Sequence, residues 1–159
     1  MVTGPQGEVR RNDDGTETIV LHRAFPDPIE DVWAAITESD RLARWIGRYE
    51  GTGGTGGTVE FTSTGELDAG GEEGKPETVE IVECSPPHRL IVDMPSYDGG
   101  VWHLAVTLSG RGSGTTLVFE QRLTAGTPAG DIETGWRWYL DRLVASIAGE
   151  PLPAWDDYA

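Results

Sequence analysis

Residues 130–149, GDIETGWRWYLDRLVASIAG, decide the fold. Ile132, Trp136, Tyr139, Leu140, Leu143 and Ile147 recur at three- and four-residue steps, which puts them on one face of a long helix over about 130–148. Gly149 suits the stop and Pro151 follows it, as a helix end prefers. A helix with one apolar face must bury that face against another element. The residues before it must therefore supply a surface to cover.

Working back from that helix, the chain reads as short strands. Candidates are 115–123 (TTLVFEQRL), 101–108 (VWHLAVTL), 89–94 (RLIVDM), 77–84 (ETVEIVEC) and 58–63 (TVEFTS). The Gly-rich turn at 110–114 and the Pro86-Pro87 corner mark tight connections. Regular spacing of short strands predicts an antiparallel meander. Alternation turns Val59 and Phe61 inward, then Val79 and Ile81, then Leu90, Val92 and Met94. On the next two strands it turns in Trp102, Leu104, Val106 and Leu108, then Leu117, Phe119 and Gln121. Cys84 falls on the opposite side from Val79 and Ile81.

An earlier strand, 16–25 (TETIVLHRAF), places Ile19, Leu21, Arg23 and Phe25 on one face. Two short helices follow it. In DPIEDVWAAIT, Asp27 is the expected cap, Pro28 the first helical residue and Glu30 the capping-box partner. Ile29, Val32, Trp33 and Ile36 form its apolar face. In SDRLARWIG, Ser39 caps, Leu42, Trp45 and Ile46 face the core, and Gly47 ends the helix. The expectation is an α+β domain over 16–149: a six-stranded curved antiparallel sheet wrapped on the long C-terminal helix, with two short helices after the first strand. Residues 1–15 read as a flexible arm and 150–159 as an irregular tail, where Trp155 and Tyr158 either fold back or meet another subunit. A twisted sheet around one helix leaves a space between them, and that space is the expected pocket.

Three stretches carry a family resemblance: PDPIEDVWAAITESDRLARWIG (26–47), VECSPPHRLI (82–91) and GWRWYLDRLVASIAG (135–149). In this order they resemble the activator of Hsp90 ATPase homologue-like family, within the START or polyketide cyclase (SRPBCC) superfamily. The resemblance spans roughly 17–149 and implies the helix-grip fold, in agreement with the periodicity. It further implies a bacterial protein that binds a hydrophobic molecule. Alternatives it carries are a polyketide cyclase, a self-resistance protein that intercepts a reactive natural product, and a chaperone-associated module.

Composition narrows the field. The formal charge of −15 repels phosphate backbones and anionic lipid heads, so no nucleic acid partner is expected. No apolar run is long enough to insert into a membrane. Cys84 is the single cysteine, so no internal disulfide can form, and a cytoplasmic location follows as the default. A monomer or weak homodimer is expected.

No catalytic or metal-binding pattern emerges, and no cofactor is expected. The stretch EGTGGTGGT contains Gly51-x-Gly53-x-x-Gly56, but a dinucleotide fingerprint needs a strand before it and a helix after it. Here a helix is expected before and a strand after, so it reads as a connector at the pocket mouth. His22, His88 and His103 are dispersed and offer no converging ligands. No G-x-S-x-G elbow is present.

The candidate ligand-binding set is therefore mainly aromatic: Trp33, Trp45, Phe61, Trp102, Phe119, Trp136 and Tyr139, with Met94. Arg23 and Gln121 are the polar members of the inward faces. An inward Arg pairs with a carboxylate, reaches the edge, or anchors an anionic ligand group. A buried Gln amide needs partners in protein, water or ligand. Gly135 interrupts the helix at a cost of roughly 1 kcal/mol against Ala, which room for a ligand or close approach of the sheet would offset. A general acid or base is missing from these inward positions, though Asp98 or Glu133 could reach in from outside them.

Overall fold

A computed structural model describes residues 7–96 and 99–158. The strands are β1 (Gly7–Arg11), β2 (Glu17–Phe25), β3 (Gly47–Glu50), β4 (Thr58–Ser63), β5 (Glu77–Ser85), β6 (Arg89–Pro95), β7 (Val101–Arg111) and β8 (Gly114–Arg122). The helices are α1 (Ile29–Thr37), α2 (Ser39–Leu42), α3 (Gly65–Asp68) and α4 (Gly130–Ala148), followed by a single 3₁₀ turn at Trp155–Asp157. One antiparallel sheet runs in the order β1-β2-β8-β7-β6-β5-β4-β3. The sheet and the C-terminal helix are as expected, but among the described residues the strands number eight, not six.

Both additional strands lie at the sheet edges. β1 falls within the stretch read as an arm. Its one apolar residue, Val9, is 40% exposed, so periodicity had nothing to report. It is held by main-chain pairing to β2, Gly7 opposite Leu21 through Arg11 opposite Glu17. β3 begins at Gly47, which was expected to end the second helix. That helix stops at Leu42, and the chain turns through 43–46 into the strand. Ser39 is not its cap: the Ser39 hydroxyl donates to the Tyr49 carbonyl and accepts from the Tyr49 amide, both at 2.9 Å. Helix α1 likewise lacks a side-chain cap. Asp27 instead offers its carbonyl to the Thr115 hydroxyl at 2.8 Å, which ties the helix entrance to β8.

A bulge in β5 corrects the placement of Cys84. Ile81 stands opposite Val92, but the next pair is Glu83 with Ile91, and Cys84 stands opposite Leu90. The extra residue resets the alternation. Val82 turns out to 45% exposure, and Cys84 shares the face of its cross-strand partner Leu90.

The core lies between the sheet and the helices. Ile19, Leu21, Leu104, Leu108, Leu117 and Phe119 on the concave face pack with Val32 and Ile36 of α1 and Leu140 and Leu143 of α4. The helix also buries residues off its expected stripe. Trp138 and Arg142 are nearly inaccessible because the C-terminal tail and the α2–β3 turn close over that side. Trp138 Nε1 donates to the Pro153 carbonyl at 3.0 Å, and its ring meets Trp155 edge-on at 5.1 Å. Arg142 Nε donates to the Trp45 carbonyl at 2.8 Å, and its guanidinium also reaches Asp68 at 2.7 Å. Tyr158 donates to Asp141 at 2.5 Å. Of the alternatives for the tail, the structure shows folding back.

Candidate functional site

Between the sheet and α4 the interior is not filled. Two chambers lie there, of about 560 and 160 Å³. Ile46, Phe61, Met94 and Trp136 line both, so these side chains stand at the boundary, or neck, where the two adjoin. The inner chamber is apolar throughout, walled by residues such as Trp45, Val92, Leu104, Phe119 and Leu140. The outer chamber mixes rings with polar groups: Trp102, Gly135, Trp138, Tyr139 and Trp155 share its wall with Ser63, Glu66, Glu77 and Asp131.

The neck is held by the sheet. Met94 and Trp102 stand opposite each other on β6 and β7, and Phe61 sits in β4 facing Glu77 of β5. Trp136 projects from α4 and stacks in a tilted arrangement on Phe119, with ring centres 4.6 Å apart. Its Nε1 donates to Gln121 Oε1 at 2.7 Å, which fixes the indole's orientation. Tyr139, one turn on, lies 6.0 Å from Trp136. Its hydroxyl donates to Glu66 at 2.8 Å. Burial is the main reason the Tyr139 phenol is pushed well above its usual range, so it stays protonated and serves as a donor. Gly65 permits this contact, since a Cβ there would lie 2.4 Å from the Tyr139 ring.

Eight of the residues expected from sequence line the chambers: Trp45, Phe61, Met94, Trp102, Phe119, Gly135, Trp136 and Tyr139. Three do not. Arg23 is buried against Asp141, its Nε donating at 2.9 Å, so its charge is met by the protein. Trp33 packs on the outside of the core cluster, while Ile36, one turn later in α1, reaches the inner chamber. Gln121 is fully buried behind Trp136, and its Nε2 finds no partner among the described residues. For Gly135, a Cβ would meet nothing within 4 Å, so the space there belongs to the chamber and no strand approaches it.

Sequence reasoning missed the carboxylates of the outer chamber. Glu66 lies in α3, a four-residue helix with too little length for periodicity to show. Glu77 begins β5, and Asp131 lies in the first turn of α4 on its exposed side. Of the two acidic candidates named from sequence, Glu133 instead pairs with Arg137, and Asp98 lies outside the described residues. The glycine-rich stretch 51–57 is a hairpin loop between β3 and β4, not a helix-to-strand connector. It bonds to β5 through Gly56 and Gly57 on Ile81 and lines neither chamber. His22, His88 and His103 are exposed, and His103 Nδ1 lies 2.6 Å from Asp93 on the outer face. Among the described residues no cluster of His, Cys, Asp or Glu could hold a metal ion. Among the described residues no helix is long and apolar enough to cross a membrane.

Residues 11–148 match the family model described as activator of Hsp90 ATPase homolog 1-like protein. The chain belongs to this family. The START and polyketide cyclase (SRPBCC) placement read from its sequence motifs thus stands. No curated protein matches the chain. Among solved structures of related fold, the crystal structure of CalU16 from Micromonospora echinospora is 25% identical, with a TM-score of 0.69. That match covers 89% of this chain and 83% of CalU16. A protein encoded by gene BPP1335 of Bordetella parapertussis is 23% identical over 98% of this chain and 89% of its own, with a TM-score of 0.73. DynU16, described as a putative protein in the dynemicin biosynthetic locus, is 22% identical with a TM-score of 0.69. The match covers 84% of this family member but only 48% of DynU16.

Proposed function

We propose that this family member binds a hydrophobic small molecule, of lipid, polyketide or other natural-product type, and holds it unchanged between the sheet and α4. The observation that carries this reading is the pair of adjoining chambers, which share four wall residues. Bulky rings line the interior without plugging it. The outer volume of about 560 Å³ falls within the range of small-molecule sites, and the inner wall is almost wholly apolar. Apolar area removed from water there contributes about 25 cal/mol per Å². Native mass spectrometry of freshly purified protein should show a retained small molecule. Trp136→Ala, which removes a wall of both chambers, should weaken binding of apolar probes at least about tenfold, or about 1.4 kcal/mol, while the protein still unfolds cooperatively. A broad apolar library that changes neither melting temperature nor tryptophan fluorescence would refute the proposal.

A second reading has one observation in its favour. An aromatic polyketide cyclase needs a general acid or base in contact with its substrate. Glu66, Glu77 and Asp131 supply carboxylates at the outer chamber that the strand and helix faces lack. Turnover of a linear polyketide that Glu77→Gln or Asp131→Asn abolishes would establish the enzyme. Recovery of every bound ligand chemically unaltered would support the carrier.

A further inference from the structure

The outer chamber has a sign. Among the described residues its wall carries Glu66, Glu77 and Asp131 and no Lys, Arg or His, and the inner chamber carries no charged residue. Lys75, two residues before Glu77, is not part of the wall, and three arginines on neighbouring elements are engaged elsewhere. Arg142 stacks at 4.7 Å on Trp138 and bonds to Asp68 and the Trp45 carbonyl. Arg137 pairs with Glu133, and Arg48 with Glu73. Nothing on the wall would therefore offset the charge of an anionic head group, and three carboxylates would oppose it.

The rings on the same wall add a second, independent preference. Trp102 and Tyr139 flank Trp136, with ring centres 6.4 and 6.0 Å from it. Trp155 completes that side of the chamber. Aromatic faces attract cations, and ammonium groups are commonly recognised between several such rings. A carboxylate beside a partly enclosed aromatic wall acts through a lower effective dielectric than one on open surface, so the two attractions reinforce each other. Tyr139, kept protonated by burial, donates to Glu66 and so already engages that carboxylate.

Granting the carrier reading of this cavity, on which this step rests, we propose that its ligand is a cationic amphiphile. The apolar body passes the neck at Phe61, Met94 and Trp136 into the inner chamber. The ammonium head stays in the outer chamber, between the Trp102, Trp136 and Tyr139 rings and the carboxylates of Glu77 and Asp131.

The test titrates the whole chain, below micelle-forming concentrations, with decyltrimethylammonium, decanol and decanoate, read by tryptophan fluorescence and calorimetry. The ammonium probe should bind at least about tenfold tighter than decanol, equivalent to about 1.4 kcal/mol, and decanoate should bind most weakly. Added salt should narrow the gap, because the carboxylate part of the preference is screened. In the double variant Glu77→Gln/Asp131→Asn the ratio of ammonium to decanol affinity should fall severalfold. Decanol binding as tightly as the ammonium probe, decanoate binding tightest, or a ratio unchanged in the double variant would each overturn the head-group assignment and leave the carrier reading standing. Failure of all three probes to bind would overturn both.

Discussion

Gln121→Met isolates the energetics of the residue that orients the cavity wall. The Gln121 side chain is fully buried; its Oε1 accepts from Trp136 Nε1 at 2.7 Å, and its Nε2 has no partner among the described residues. A buried donor left unpaired costs about 1–3 kcal/mol, whereas one made hydrogen bond contributes about 1 kcal/mol. Methionine keeps the length and flexibility of the side chain and removes both terms. Trp136 is only partly buried and borders the open chamber, so its freed Nε1 can turn to water. The difference predicts a variant between unchanged and about 2 kcal/mol more stable. Urea unfolding should show a raised midpoint at constant slope, with the melting temperature up by at most roughly 4–8 °C for a chain of this size. Trp136→Phe is the complementary variant. It strands the whole buried amide and should be destabilised, and adding Gln121→Met should recover about 1–2 kcal/mol of that loss as a coupling term. A single Gln121→Met variant that loses more than about 2 kcal/mol at unchanged slope would refute the reasoning, because it would show the amide to be fully satisfied.

Gly135→Ala should raise helix stability by about 1 kcal/mol, since the added Cβ meets nothing, and should narrow the outer chamber. Thermal unfolding checks the first effect and ligand titration the second; a destabilised variant would mean the space is not open. Asp141→Ala should cost about 3–5 kcal/mol, because it removes the carboxylate facing the buried Arg23 guanidinium. Tyr158→Phe, which removes only the outer hydrogen bond on Asp141, should cost about 1 kcal/mol by the same unfolding assay. Equal losses in the two would show that the tail, not Asp141, neutralises Arg23.

Much of the site was legible because it lies on regular elements. Phe61, Met94, Trp102 and Phe119 follow strand alternation, and Trp136 and Tyr139 follow the stripe of α4, so period alone turned them inward. Arg23 and Gln121 were placed on the correct faces too, yet their partners were not visible. Asp141 is 118 positions from Arg23, and no local pattern links the two. The carboxylates escaped for the opposite reason: Glu66, Glu77 and Asp131 sit at element ends, where neither period applies.

The sequence by itself determined the antiparallel sheet, the covering helix and the apolar character of the space between them. These follow from side-chain periodicity, a property of neighbours in the chain. Tertiary structure alone decided the edge strands β1 and β3, the bulge that turns Cys84 around, the fold-back of the tail over Trp138, and the acidic wall of the outer chamber. Main-chain pairing at an edge needs no apolar pattern, and a chamber wall collects residues from distant elements. Neither leaves a signal that can be read one segment at a time.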